Sequence, residues 1–147
     1  MLSIVKRIWA NPFDAMDKNH ATGLWGEEVA AKFLRKKGYK IEGKRVRILR
    51  DEIDIIASCK MTGNTRQLVF VEVKTRASNL YGGGIGAVDW KKRRAQSRAA
   101  VRFMRKKPKT AFRFDVVEVT GSIDSKTPPV IKHHENVFPL DSKYVIG

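Results

Sequence analysis

The stretch Leu68-Val69-Phe70-Val71-Glu72-Val73-Lys74-Thr75-Arg76 limits the fold more than any other part of the chain. Its apolar residues alternate, with Val69, Val71 and Val73 pointing one way and Phe70, Glu72, Lys74 and Arg76 the other, the period of a half-buried strand. Glu72 and Lys74 therefore share a face, about 7 Å apart along the strand. An acid and an amine held so rigidly can bind a divalent cation together with a water or phosphate. A solvent-facing salt bridge would use the same tripeptide.

A second acidic strand precedes it. Glu52-Ile53-Asp54-Ile55-Ile56-Ala57 is expected to turn Glu52 and Asp54 to one side and Ile53, Ile55 and Ala57 to the other. Gly63-Asn64 lies between the two strands and reads as a hairpin loop. A hairpin symmetric about Gly63 sets Asp54 opposite Glu72, with Cβ atoms roughly 5 Å apart. Like charges so placed destabilise the pair unless a cation stands between them. Mg²⁺, held by one or two carboxylates and completed by water and phosphate, would relieve the repulsion.

Two helices flank this hairpin. The first is expected from about Gly23 to Lys37, with Thr22 as N-cap and Gly38 as stop. Leu24, Ala30, Ala31, Phe33 and Leu34 form its apolar face, and Glu27 falls inside that face. A carboxylate aimed at a core is costly unless it is paired or binds a cation. Glu27 either joins Asp54 and Glu72 as a third acid or bridges to a backbone group or lysine. The second helix is expected over Ala87 to Met104. Lys91, Arg94, Arg98, Arg102 and Arg105 make a continuous basic stripe beside Val88, Ala95, Ala99 and Phe103. No acid follows Asp89 in this helix, so repulsion along the stripe calls for an external anion, and phosphodiester fits. Lys92 and Gln96 fall in the apolar stripe and could lean toward the carboxylates and a scissile phosphate.

The charge balance points the same way. The chain's 147 residues carry 30 Lys plus Arg against 15 acids, a formal net charge of +15. Such an excess suits a polyanion, nucleic acid before an anionic membrane. One domain of this length can hold a single core. The single Cys59 excludes an internal disulfide and a cysteine-rich zinc site, which suits a reducing cytoplasm. No run reaches the ~18 apolar residues of a membrane span.

The remaining segments complete an α/β chain with a central mixed sheet flanked by helices. Residues 1–20 read as an added arm, 21–140 as the domain and 141–147 as a tail. Tyr39 to Leu49 is a strand, or two pieces broken at Gly43, and its basic residues, Arg47 among them, would flank the carboxylates. Ala77 to Gly86 is a glycine-rich loop. Phe112 to Val119 reads as a central strand in which Asp115 makes a structural ion pair, and Val130-Ile131 as a short last strand. His133 and His134 are expected to be structural or interface residues and not metal ligands.

The order of motifs carries a resemblance. Gly26-Glu27, Glu52-Ile53-Asp54, Phe70 to Arg76, Val88 to Lys92 and Arg113-Phe114-Asp115-Val116-Val117 together resemble the YraN-type family of small bacterial proteins. That family is similar to archaeal Holliday-junction resolvases, with a restriction-endonuclease-like fold and a PD-(D/E)xK site. The resemblance covers about Ala21 to Leu140. It implies Glu27, Asp54 and Glu72 as ligands of Mg²⁺ or Mn²⁺, Lys74 as the catalytic lysine and Lys92 as a helper near the phosphate. It departs from the family at Asp51, where glycine is usual, and at Arg45, where asparagine is usual.

The expected activity is hydrolysis of phosphodiester bonds in DNA, branched or structured DNA included, as in recombination and repair. Arg47, Arg76, Lys91, Lys92, Arg94, Gln96, Arg98, Arg102 and Arg105 are the expected nucleic-acid contacts. A symmetric junction would suit a homodimer. A nucleic-acid-binding module of the same fold with little catalysis is the alternative. A peripheral membrane or docking protein using residues 1–20 is a third.

Overall fold

The computed structural model describes residues 18–77 and 90–145. Most of the arm, the greater part of the glycine-rich loop, Val88 and Asp89 lie outside them. The elements run α1 (Lys18–Lys36), β1 (Lys40–Ile48), β2 (Asp51–Lys60), β3 (Arg66–Arg76), α2 (Trp90–Met104), β4 (Phe112–Thr120) and β5 (Val130–His134), with a 3-10 turn at Ser142–Tyr144.

The five strands form one sheet in the order β1-β2-β3-β4-β5. β3 and β4 are parallel and the other neighbours antiparallel, so the sheet is mixed. A parallel pair cannot be joined by a tight turn, and α2 lies within the crossover. Each helix covers one face. Ala30, Ala31 and Leu34 of α1 pack on Ile55, Ala57, Val69, Val71, Val117 and Val119. Ala99, Ala100 and Met104 of α2 pack on Ile53, Ile56, Leu68, Phe70 and Phe114, with Phe138 beside them. The alternation read in β3 thus divides its side chains between two cores. Phe70 centres the second, with the rings of Phe103, Phe112 and Phe114 at 5.7–5.9 Å. Truncating such a residue to alanine costs about 3–5 kcal/mol.

α1 ends as expected. Gly38 takes φ 94°, and the N–H groups of Gly38 and Tyr39 return to the carbonyls of Arg35 and Leu34. Its start differs from the sequence reading, because the helix includes Lys18 and Thr22 lies inside it. Ala21 is buried, and packing of the apolar face outweighs the capping preference of one threonine.

The hairpin is symmetric about Gly63: Lys60 pairs with Arg66, Cys59 with Gln67 and Ile55 with Val71. The β2–β3 ladder then stops, while β2 stays paired to β1 as far as Asp51. Ile53 joins the α2-side core and Ile55 the α1-side core. This corrects the expectation that both share a face. Two residues apart in a regular strand would do so, hence β2 turns over at Asp54. Directly across in β1, Arg45 has φ 48°, a left-handed conformation in which asparagine is commoner than arginine.

β4 is an inner strand buried on both faces. Asp141 and the 3-10 turn after it, read as tail, lie against α2, and the Asp141 N–H donates to Ser97 Oγ. No helix among the described residues is long and apolar enough to cross a membrane.

Candidate functional site

The end of the β2–β3 ladder is where the acids gather. Because β2 turns over at Asp54, its side chain lies in the gap between the strands. There Asp54 Oδ2 accepts the Val73 N–H at 2.9 Å, a bond the next β2 carbonyl would otherwise take. Burial raises its pKa and the Glu72 charge raises it further, against the Val73 bond and Lys92.

Glu72 stands on the α2 face of β3. It is nearly inaccessible, and neither carboxylate oxygen accepts a well-formed hydrogen bond. The Lys92 ammonium, from the first turn of α2, forms an ion pair with Oε1. A carboxylate so desolvated needs compensating charge, and here a lysine supplies it.

Glu27 comes from the α1 side. Its neighbour Gly26 explains how the helix comes so near, since a Cβ at that position would lie 1.9 Å from Thr75 Oγ1. Burial, then the charge of Asp54, pushes the Glu27 carboxyl up to about 7, with Arg45 opposing. Arg45 Nε is 3.9 Å from Glu27 Oε2 and 3.5 Å from Glu52 Oε1. Glu27 also lines a cavity of about 560 Å³ with Leu24, Trp25, Lys44 and Arg45.

Asp54 is thus the electrostatic link between the acids: the Glu72 charge raises it, and its own charge raises Glu27. As they stand, no three Asp, Glu, His or Cys side chains among the described residues converge closely enough to enclose a metal. Lys74 lies two residues beyond Glu72 on the same face, in register with Glu118 of β4.

The cations divide into two sets. Arg98 makes a bidentate pair with Asp51 at 2.6 and 2.8 Å, and Arg102 lies 3.9 Å from the same carboxylate. Arg94 reaches Asp141 at 3.5 Å. The repulsion read along α2 is therefore relieved in part from within, by acids 47 residues away in either direction. Gln96 is buried. Arg47 is exposed and 3.9 Å from Glu52, and Arg105 is exposed. Lys91 stands over Trp90, and Arg76 is half-buried at the end of β3.

Several contributors escaped the sequence reading. Glu118 is buried on the face that holds Lys74, with His134 Nε2 at 3.0 Å from Oε2 and no hydrogen bond to Oε1. Asp51 was noted only as a departure from the family. Gly26 had a signal, a glycine inside an otherwise strong helix pattern. Asp115 is held as expected: burial raises its pKa, but His133, Arg113 and the Asn136 N–H outweigh that and keep it below the usual carboxylate value.

Residues 26–119 match the model of the uncharacterised protein family UPF0102. The chain is similar to a UPF0102 protein of Porphyromonas gingivalis, 40% identical over 85% of this chain and 89% of that protein. It is also similar to UPF0102 proteins of Caldicellulosiruptor saccharolyticus, 47% identical over 71% of this chain and 86% of the relative, and Rhodopirellula baltica, 36% identical over 86% and 75%.

Proposed function

The chain belongs to the uncharacterised protein family UPF0102, and from its coupled acids we propose that it is a metal-dependent endonuclease acting on DNA. The observation that carries this reading is the buried, hydrogen-bond-poor carboxylate of Glu72, whose charge acts on Asp54 as that of Asp54 acts on Glu27, the last two held above their ordinary pKa values. Acids so coupled repel one another and gain from a divalent cation. Glu27, Asp54 and Glu72 would hold Mg²⁺ or Mn²⁺, hard cations suited to carboxylate oxygen. The bound ion would neutralise phosphoryl oxygen charge and acidify its water.

This chain's own groups would do the rest. Lys92 exchanges Glu72 for a phosphate oxygen, which suits an ammonium on a flexible stem. Lys74 orients the attacking water from the Glu72 face of β3. The water oxygen bonds to phosphorus and gives up a proton to solvent as one P–O ester bond breaks, and the departing sugar oxygen takes a proton from solvent to leave as an alcohol. Arg47, Arg76, Lys91 and Arg105 contact flanking phosphates, which give affinity and position without base information. The resemblance to Holliday-junction resolvases favours branched or structured DNA, and a homodimer would match a symmetric junction.

One arrangement favours a second reading, a nucleic-acid-binding module of this fold with little catalysis. Lys92 already neutralises Glu72, and the acids do not enclose a metal as they stand. Incubation with Mg²⁺ or Mn²⁺ and linear, forked and four-way-junction DNA separates the two. Cutting by the wild type that Asp54→Ala and Lys74→Ala abolish supports the nuclease. Salt-sensitive binding with no cutting, or equal cutting by the variants, overturns it.

A further inference from the structure

Trp90 opens α2 and is 59% exposed, the most exposed aromatic ring among the described large apolar residues. A lone surface indole needs no special account. This one has two cations over its ring, Lys91 Nζ at 5.8 Å and Arg94 Cζ at 5.1 Å from the centroid. It also shares its helical turn with Lys92, the partner of Glu72. An α-helix with side chains is roughly 10–12 Å across, and residues 90 and 92 are about 200° apart around it, so the indole and Glu72 lie on opposite sides of one narrow cylinder.

We propose that Trp90, with Lys91 and Arg94, is a stacking platform for an unpaired nucleobase in the strand whose backbone reaches Glu72. A base has an apolar face for the indole and a phosphate on either side for the two cations. At an exposed site a cation over a ring is held more weakly than a stacked base, so a base displaces the cations and its phosphates receive them. Bases inside a continuous duplex offer no free face. The platform therefore selects single-stranded segments, such as fork arms and the unstacked bases of a branch point. The inference rests on the nuclease reading for the path of the strand, but binding at Trp90 does not require cleavage.

The test uses the full chain in EDTA, with labelled single-stranded, forked and blunt duplex oligonucleotides followed by fluorescence anisotropy. Trp90→Ala is expected to weaken single-strand and fork binding about 5- to 150-fold and leave duplex binding almost unchanged, while Trp90→Phe keeps most of the affinity. The proposal is overturned by equal losses on all three DNAs, by no loss on any, or by a wild type that binds none. It is also overturned by Trp90-dependent binding to phosphatidylserine-containing vesicles in preference to single strands. If the nuclease reading alone is wrong, Mg²⁺ yields no cutting while the Trp90 pattern persists. If the platform alone is wrong, cutting persists and the pattern is missing.

Discussion

Glu27→Gln should make the metal-free protein more stable, and only above a defined pH. Glu27 sits 14% exposed between Asp54 and Arg45, with its carboxyl raised from 4.5 to about 7 by burial first and Asp54 second. The folded state therefore binds the proton more tightly than the unfolded chain. Below pH 4.5 the group is protonated in both states and has no effect on folding. Between 4.5 and about 7 the unfolded chain ionises first, and folding stability falls with each step of pH. Above 7 the loss is complete, about 3 kcal/mol at roughly 1.4 kcal/mol per tenfold change in proton affinity. Glutamine keeps the volume and removes the charge. Urea denaturation in EDTA at pH 5, 6, 7 and 8 should find variant and wild type close at pH 5, with the variant ahead by about 2–3 kcal/mol at pH 8. Other titrating groups cancel in the difference, and the Asp54 repulsion is already contained in the Glu27 shift. Mg²⁺ at pH 8 should narrow the gap by stabilising the wild type alone. A gap independent of pH, or a less stable variant at pH 8, would refute the assignment of Glu27 to the coupled acids.

Three further outcomes follow from the same geometry. Lys92→Met strands the Glu72 carboxylate, so in EDTA it should lose about 1–3 kcal/mol and then gain more from Mg²⁺ than the wild type in a thermal melt; equal gains would argue against a cation at Glu72. Gly26→Ala should cost about 1–3 kcal/mol through overpacking on Thr75, although alanine is the better helix former by about 1 kcal/mol. Adding Thr75→Ala should restore part of that in a denaturation series, and no restoration would mean the clash is elsewhere. Asp51→Ala should cost about 2–3 kcal/mol by leaving Arg98 unpaired. Arg98 holds the Asp51 pKa below its ordinary 3.8, so this stability is present above pH 3.8 and fades as the pH falls below it. An acid titration in which wild type and variant converge at low pH checks the sign.

Local patterning made much of this protein legible from its residues alone. The alternation of Val69, Phe70, Val71 and Glu72 determined a strand, though it read as half-buried and the second helix buries its other face too, and Gly63 between matched runs determined the register of β2 on β3. Glu27 was visible as a misfit on an apolar helical face because a 3.6-residue period leaves few places for a carboxylate to hide. What tertiary structure alone decided is where distant charges meet. The acids that occupy Arg94 and Arg98 lie 47 residues away in opposite directions, and nothing in a helical projection can supply them. The reversal of β2 at Asp54 was equally invisible, since an Ile-x-Ile spacing reads as one face until a neighbouring strand leaves the ladder. Periodicity is a property of short segments, whereas charge compensation depends on distances through space that only the folded chain defines.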